Sequence, residues 1–322
     1  FFTTDRCGKR QIRGQFACRR GARQAGAVVD RRWRELVDAV PGGVRMVATD
    51  LDGTLLRPDN TVSARTVEAF ATARAVGLPV VFVTGRPPRW LPPVVEATGH
   101  AGIGVCANGA LVVDLDTREV LEAHPVPYDA LVETVRVLRA EVEGVAFAVE
   151  WESPDGTEDF AHEPSYRARY RVAGVEHGDI LELAARHRVI KLLARIDGGD
   201  HPARHDVDAL LEVTLGHVSH LVTATHSASD DVLIEMSALG VSKGAALAHQ
   251  AARLGLPLSA VAAVGDMPND VPMLVEAGLG LAVETGHPAA RAAADALLPG
   301  PQDDGVAQLV EAVLAVAAVT ER

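Results

Sequence analysis

Val44-Arg45-Met46-Val47-Ala48-Thr49-Asp50-Leu51-Asp52-Gly53-Thr54-Leu55-Leu56 decides how this chain is read. An apolar, β-branched run leads into two aspartates one residue apart, and a glycine then turns the backbone away. That is the pattern of a buried strand ending in an acidic turn. In an open α/β sheet, ligands gather at the carboxyl ends of the strands. Two carboxylates there repel unless a cation or a shared proton holds them. The stretch therefore implies a partner elsewhere in the chain and something for the aspartates to act on.

Outward from this stretch, strand and helix patterns alternate. Val62–Val76 has apolar residues at helical spacing between Ser63, a suitable N-cap, and Gly77, a suitable stop. Leu78–Val83 is a short continuous apolar run, as in a strand buried on both faces, and ends in Thr84-Gly85-Arg86, after which Pro87 or Pro88 opens a helix. Ile103–Ala107 is a third strand leading to Asn108-Gly109, and Leu111–Val113 with Glu119–Leu121 forms a hairpin. The βα rhythm resumes at Leu239, with helices at Lys243–Leu254, Asn269–Ala277, His287–Ala294 and Gly305–Val319. Between them run strands at Ala260–Val264, Gly280–Val283 and Ala296–Leu298.

Residues 127–231 differ in character, holding Trp151, all three tyrosines and many His and Arg. The expected fold is α/β: a doubly wound parallel sheet, Rossmann-like, with a smaller α/β cap inserted. The core spans 44–126 and 232–322, and the cap 127–231. The cap's His162, His177, His187, Tyr166 and Tyr170 are expected to serve packing or face solvent.

The chain is long enough for about two domains. Residues 1–34 carry ten Lys/Arg against Asp5 and Asp30, a net +8 that leaves −20 on the rest, given the overall −12. An acidic body disfavours nucleic acid as the main partner. Residues 1–43 are expected to be a basic, disordered extension. No apolar run approaches the roughly 20 residues that would span a bilayer. Only Cys7, Cys18 and Cys106 are present, in no CxxC arrangement, which points to a reducing, cytoplasmic setting. The oligomeric state is left open.

Asp50/Asp52, Thr84-Gly85-Arg86, Lys243 and Asp266 with Asn269 and Asp270 all fall where one sheet brings strand ends together. Several carboxylates, one ammonium and a hydroxyl beside glycine suit a divalent cation and a phosphate. An oxygen-only donor set suits Mg²⁺. A helix N-terminus with Lys243 would hold phosphate oxygens. Phosphate-monoester hydrolysis needs acceleration up to about 10²¹-fold, and one general acid supplies only about 10²–10⁴. Asp50 is placed to attack phosphorus, and Asp52 to protonate the leaving alkoxide and then activate water.

Asp50-Leu51-Asp52-Gly53-Thr54, Thr84-Gly85-Arg86, Val241-Ser242-Lys243-Gly244 and Gly265-Asp266-Met267-Pro268-Asn269-Asp270 resemble, in order, the four motifs of the haloacid dehalogenase superfamily. The resemblance covers about residues 44–322 and is nearest to the Cof-like branch, which carries a large cap between the second and third motifs. It implies a Mg²⁺-dependent phosphatase acting on a small phosphorylated metabolite through an aspartyl-phosphate. Asp50 is then nucleophile and metal ligand. Asp52 is acid/base, with its backbone carbonyl on the metal, and Asp266 is the third metal ligand. Thr84, Gly85, Lys243 and Asn269 bind phosphate, and Asp270, Arg86 and Asn108 support the site. Glu284-Thr285-Gly286 departs from the branch, whose members usually carry a small polar segment there. A phosphomutase using the same intermediate, or a binding protein with a vestigial site, are the alternatives.

Overall fold

In the computed structural model, which describes residues 30–100, 102–152, 160–168 and 175–320, the run into Asp50 is a strand buried at every position. It is β1 (Met46–Thr49), followed by β2 (Val80–Val83), β3 (Ile103–Cys106), β4 (Leu111–Asp114) and β5 (Val120–Ala123). A second sheet then forms from β6 (Val145–Trp151), β7 (Phe160–His162), β8 (Glu176–His177), β9 (Val189–Ile196), β10 (Val222–Thr225) and β11 (Leu233–Ala238). The chain returns to the first sheet with β12 (Val261–Gly265), β13 (Leu279–Val283) and β14 (Ala296–Leu298).

The first sheet has the order β14-β13-β12-β1-β2-β3-β4-β5. Pairing is parallel from β14 to β3, and β4 and β5 add an antiparallel edge. The winding reverses at β1, whose neighbours β2 and β12 come from opposite sides of the insertion. A doubly wound sheet leaves its crevice at such a reversal. Thr49 is level with Val264 and with Phe82, so Asp50, Gly265 and the residues after Val83 emerge together.

Helices cover both faces, which is why these strands are apolar throughout. On one face α1 (Arg31–Asp38), α2 (Ala64–Ala75), α3 (Pro92–Thr98) and α10 (Gly305–Thr320) bury Val47, Phe70, Phe82, Val264 and Leu281. On the other, α7 (Lys243–Arg253), α8 (Val271–Glu276) and α9 (Pro288–Ala293) cover Met46, Ala48, Val81 and Ala263.

The expected disordered extension to residue 43 is corrected here. From Asp30, which caps α1 through its carboxylate, the chain is helical and packed on α10. Trp33 and Val37, one helical turn apart, are both buried, and the Trp33 indole N–H donates to Gln308 Oε1 at 3.0 Å. Residues 1–29, with Cys7 and Cys18, and Tyr170 lie outside the described residues.

The second sheet has the order β10-β11-β9-β6-β7-β8. α4 (Tyr128–Glu141), α5 (Ile180–Ala184) and α6 (Val207–Val218) cover one face, burying Phe147, Val149, Leu192, Ala194, Ile234 and Met236. Side chains alternate along strands, so the other face carries Glu150, Lys191 and Glu235, and it turns to the first domain. β11 pairs with β9 and β10, so the expected cap boundary at 231 falls one strand short. Asn108-Gly109 lies in the β3–β4 hairpin turn, with Ala107 and Asn108 at φ of +50° and +58°. Among the described residues, no helix is long and apolar enough to cross a membrane.

His100 makes a test of this packing. It is buried between Phe70 and Phe82, with ring centroids at 5.4 and 4.9 Å, and its Nε2 bonds the Val80 carbonyl at 2.9 Å. Burial holds its pKa below the ordinary value. The folded protein therefore resists protonating it, and stability present above about pH 6.5 is lost as pH falls toward the folded value. His100→Leu is expected to flatten that part of a pH–stability curve measured by urea unfolding.

Candidate active site

β1 delivers Asp50 to the reversal point with its backbone N–H still bonded to the Val264 carbonyl at 2.9 Å, so the residue is fixed by the sheet. Lys243 opens α7 just after Ser242, whose hydroxyl caps the helix by accepting from Ala245 N at 3.1 Å. A cation at a helix N-terminus is opposed by the helix dipole. Here carboxylates hold it: the buried Nζ donates to Asp50 Oδ1 at 2.7 Å and to Asp270 Oδ1 at 2.6 Å. Asp270 Oδ2 accepts the backbone N–H groups of Asp266 and Met267 at 2.8 and 2.9 Å. The acceptors of Asp270 are thus largely used in shaping the loop after β12. Gly265 is required there, since a Cβ would fall 2.4 Å from the Asp270 side chain.

Asp266 reaches the same crevice, its Oδ1 accepting the Thr54 hydroxyl at 2.8 Å. Asp50, Asp266 and Asp270 each place a carboxylate oxygen within 4.8 Å of the others. Burial, only partly offset by Lys243 and reinforced by Asp270 and Asp266, holds the Asp50 pKa well above the ordinary carboxylate value. Burial and Asp270 push Asp266 up to about 7. Two buried carboxylates and the partly buried Asp266 face one ammonium, and that imbalance fits a divalent cation held by oxygen ligands. Asp50 and Asp266 are the residues suited to hold it, because Asp270 is occupied with Lys243 and two backbone N–H groups.

Gly53 shapes this crevice at φ +73°, and a Cβ there would lie 2.3 Å from Asp266 Oδ2. Gly53→Ala adds this collision to a backbone strain of roughly 1–2 kcal/mol. The variant is expected to need at least about tenfold more metal for half-maximal activity, a change of about 1.4 kcal/mol, read by titration with a divalent cation.

The remaining expected residues are brought to the same place. Thr84 is buried, and its hydroxyl accepts the Arg86 N–H at 3.0 Å. The Asn269 side chain donates to Asn108 Oδ1 at 3.0 Å, while its own Oδ1 is buried with no hydrogen-bond partner. Asp52 is half exposed, and Arg86 holds its carboxylate with two bonds of 2.7 and 2.5 Å. The departing loop Glu284-Thr285-Gly286 braces the site. His287 N donates to the Asp266 carbonyl at 2.7 Å, and a Cβ on Gly286 would lie 2.8 Å from that oxygen.

Sequence reasoning missed two cap residues, Lys191 and Glu235, which contact Gly85 and Asn108. The available signal was a charge inside a mostly apolar strand. A second cluster joins the domains: Asp208 accepts from His226 Nε2 at 2.9 Å and His287 Nε2 at 3.1 Å. The Nδ1 of His287 accepts from Ala289 N at 3.2 Å, so its proton is assigned to Nε2 and Asp208 is satisfied by hydrogen bonds alone.

Known proteins resemble this chain in sequence and in fold. The family model of haloacid dehalogenase-like hydrolases matches residues 47–310. The chain is 28% identical over 274 residues to the pyridoxal phosphate phosphatase YbhA of Escherichia coli, covering 83% of this chain and 97% of that protein. It is 27% identical over 267 residues to the 5-amino-6-(5-phospho-D-ribitylamino)uracil phosphatase YcsE of Bacillus subtilis, covering 83% and 94%. The solved structure of a phosphatase of the same superfamily from Bacteroides thetaiotaomicron shares the fold, with a TM-score of 0.68 at 21% identity over 84% of this chain and 95% of that one. The chain belongs to the haloacid dehalogenase-like hydrolases.

Proposed function

We propose that the chain is a Mg²⁺-dependent phosphatase that hydrolyses a small phosphorylated metabolite through an aspartyl-phosphate on Asp50. The observation that carries this reading is the Asp50–Lys243–Asp270 chain beside Asp266, set at the reversal point of the sheet. A carboxylate oxygen of Asp50 attacks phosphorus, the bond from phosphorus to the ester oxygen breaks, and the departing alkoxide takes a proton from Asp52. Water then attacks the phosphorus, giving its proton to the Asp52 carboxylate, and the bond to Asp50 breaks to release inorganic phosphate. For both steps Asp52 turns from Arg86 toward the reacting oxygen. Lys243, Thr84, the Gly85 loop and Asn269 hold the phosphoryl oxygens and keep Asp50 in line. Asp50 and Asp266, with the Asp52 carbonyl, would hold the Mg²⁺, which would neutralise charge among the carboxylates and the phosphate.

Substrate size is limited by the space between cap and core. A cavity of about 120 Å³ lies there, lined by polar Thr223, Ser237 and Asn269 with Lys243 and by apolar Val241 and Pro272. That suits a small leaving group and not a polymer. By their names, the Escherichia coli and Bacillus subtilis relatives act on small phosphorylated molecules, which supports the same class.

The test is phosphate release from a panel of phosphorylated metabolites, with Mg²⁺ and with a chelator. Mg²⁺-dependent release from small phosphomonoesters is expected, and Mg²⁺ should raise the melting temperature in proportion to its binding. Undiminished release after complete chelation would remove the metal from the account.

A further inference from the structure

The face that the cap turns to the core carries Glu150, Lys191 and Glu235 on strands that are otherwise mostly apolar. Lys191 is buried, and it is one of only three lysines in the chain, another being Lys243. Its Nζ donates to the Gly85 carbonyl at 2.7 Å and to Glu235 Oε2 at 2.6 Å. Glu150 lies 3.7 Å from the same ammonium and accepts from Arg89, of the core, at 3.0 Å. Glu235 also accepts from Ser227 and, at 2.9 Å, from Asn108 Nδ2.

These bonds reach both phosphate-binding loops. The Gly85 carbonyl belongs to the peptide whose other end, the Arg86 N–H, binds the Thr84 hydroxyl. Lys191 therefore sets the plane that orients Thr84. Glu235, ionised, can only accept, so it fixes Asn108 with its NH₂ toward the cap and its oxygen toward the core. That oxygen in turn takes a hydrogen from Asn269, which fixes the Asn269 amide and leaves the second hydrogen of its nitrogen for a ligand. Burial alone would pull the Lys191 ammonium down and push the Glu235 carboxyl up. Their mutual attraction outweighs burial in both, so the pair is ionised. A buried ion pair stabilises a fold little more than apolar residues of like size. Its placement on the domain boundary therefore calls for a functional reason.

We propose that Lys191 and Glu235 are positioning residues that couple cap docking to the phosphoryl cradle, through the Gly85 carbonyl on one side and Asn108–Asn269 on the other. The inference rests on the phosphatase reading of the site. An open cap would leave the Gly85 peptide and the Asn269 amide unfixed, and a docked cap assembles them, so turnover is gated by closure.

The test uses the full chain with Mg²⁺ and two variants, Lys191→Met and Lys191→Met/Glu235→Leu. The single variant leaves Glu235 buried without its cation and lowers the melting temperature, whereas the double variant, with an apolar pair, recovers it. In both, kcat on p-nitrophenyl phosphate is expected to fall about 10²-fold, the effect of a misplacement on the order of 1 Å. KM should stay near the wild-type value, and the inhibition constant of orthovanadate should rise with the loss in kcat. Recovery of kcat together with melting temperature in the double variant would overturn the proposal, because it would show a purely structural role. A wild-type protein without turnover would count against the phosphatase reading alone. Orthovanadate affinity of the three proteins by calorimetry would then still decide the coupling: equal affinities overturn it, and weakened binding in both variants supports it.

Discussion

Asp50→Asn is expected to fold normally and to release phosphate at least about 10⁴-fold more slowly than the wild type, as loss of a nucleophile does elsewhere. The amide has the shape of the carboxylate, and its oxygen can still accept from the Lys243 ammonium, 2.7 Å away in the wild type. What it lacks is nucleophilicity and charge. The charge removed is one that the metal-free fold tolerates poorly, since burial and then Asp270 and Asp266 disfavour it against the pull of Lys243. The metal-free variant should therefore melt no lower than the metal-free wild type, while its stabilisation by Mg²⁺ shrinks. Phosphate-release kinetics and melting temperatures with and without Mg²⁺ check the two halves separately. Full turnover in the variant would sink the nucleophile assignment.

Lys243→Met is expected to remove activity and to destabilise the protein. The ammonium is fully buried between Asp50 and Asp270, which raise its pKa despite burial. Removing one partner of a buried pair typically costs about 3–5 kcal/mol, because the remaining charge is stranded. For a chain of this size that corresponds to a melting-temperature loss on the order of 10 °C. Asp270 also holds the N–H groups of Asp266 and Met267, so its loop is expected to loosen. The double variant Asp50→Asn/Lys243→Met should be more stable than Lys243→Met alone, since one stranded charge is gone. A double-mutant cycle in thermal unfolding reads this coupling directly.

The core was legible because its chemistry is local in sequence. Asp50 and Asp52 sit directly after a buried strand, and Asp266, Asn269 and Asp270 directly after another, so a parallel sheet alone brings them together. Lys243 was legible because arginine supplies almost all other cationic side chains in the chain. Lys191 and Glu235 were not. Each interrupts a mostly apolar strand at an alternating position, Val189–Ile196 and Leu233–Ala238, which marks a face but not what that face meets. The orientation of an inserted domain comes from packing between domains, and no local pattern encodes it. Trp33 and Val37 were hidden for another reason: the arginines around them give the segment the composition of a disordered arm. The grip of Arg86 on Asp52 is a choice of side-chain rotamer, which a sequence does not express.

The central claim is that the phosphoryl group passes through Asp50. The most direct measurement is acid quench of the Mg²⁺-loaded enzyme during turnover of a phosphomonoester, followed by peptide mass spectrometry. The expected result is one phosphoryl group on the peptide containing Asp50, labile to hydroxylamine as an acyl phosphate is, and absent from Asp50→Asn. A phosphoryl group on another residue, or turnover with no phosphorylated peptide at any quench time, would contradict it.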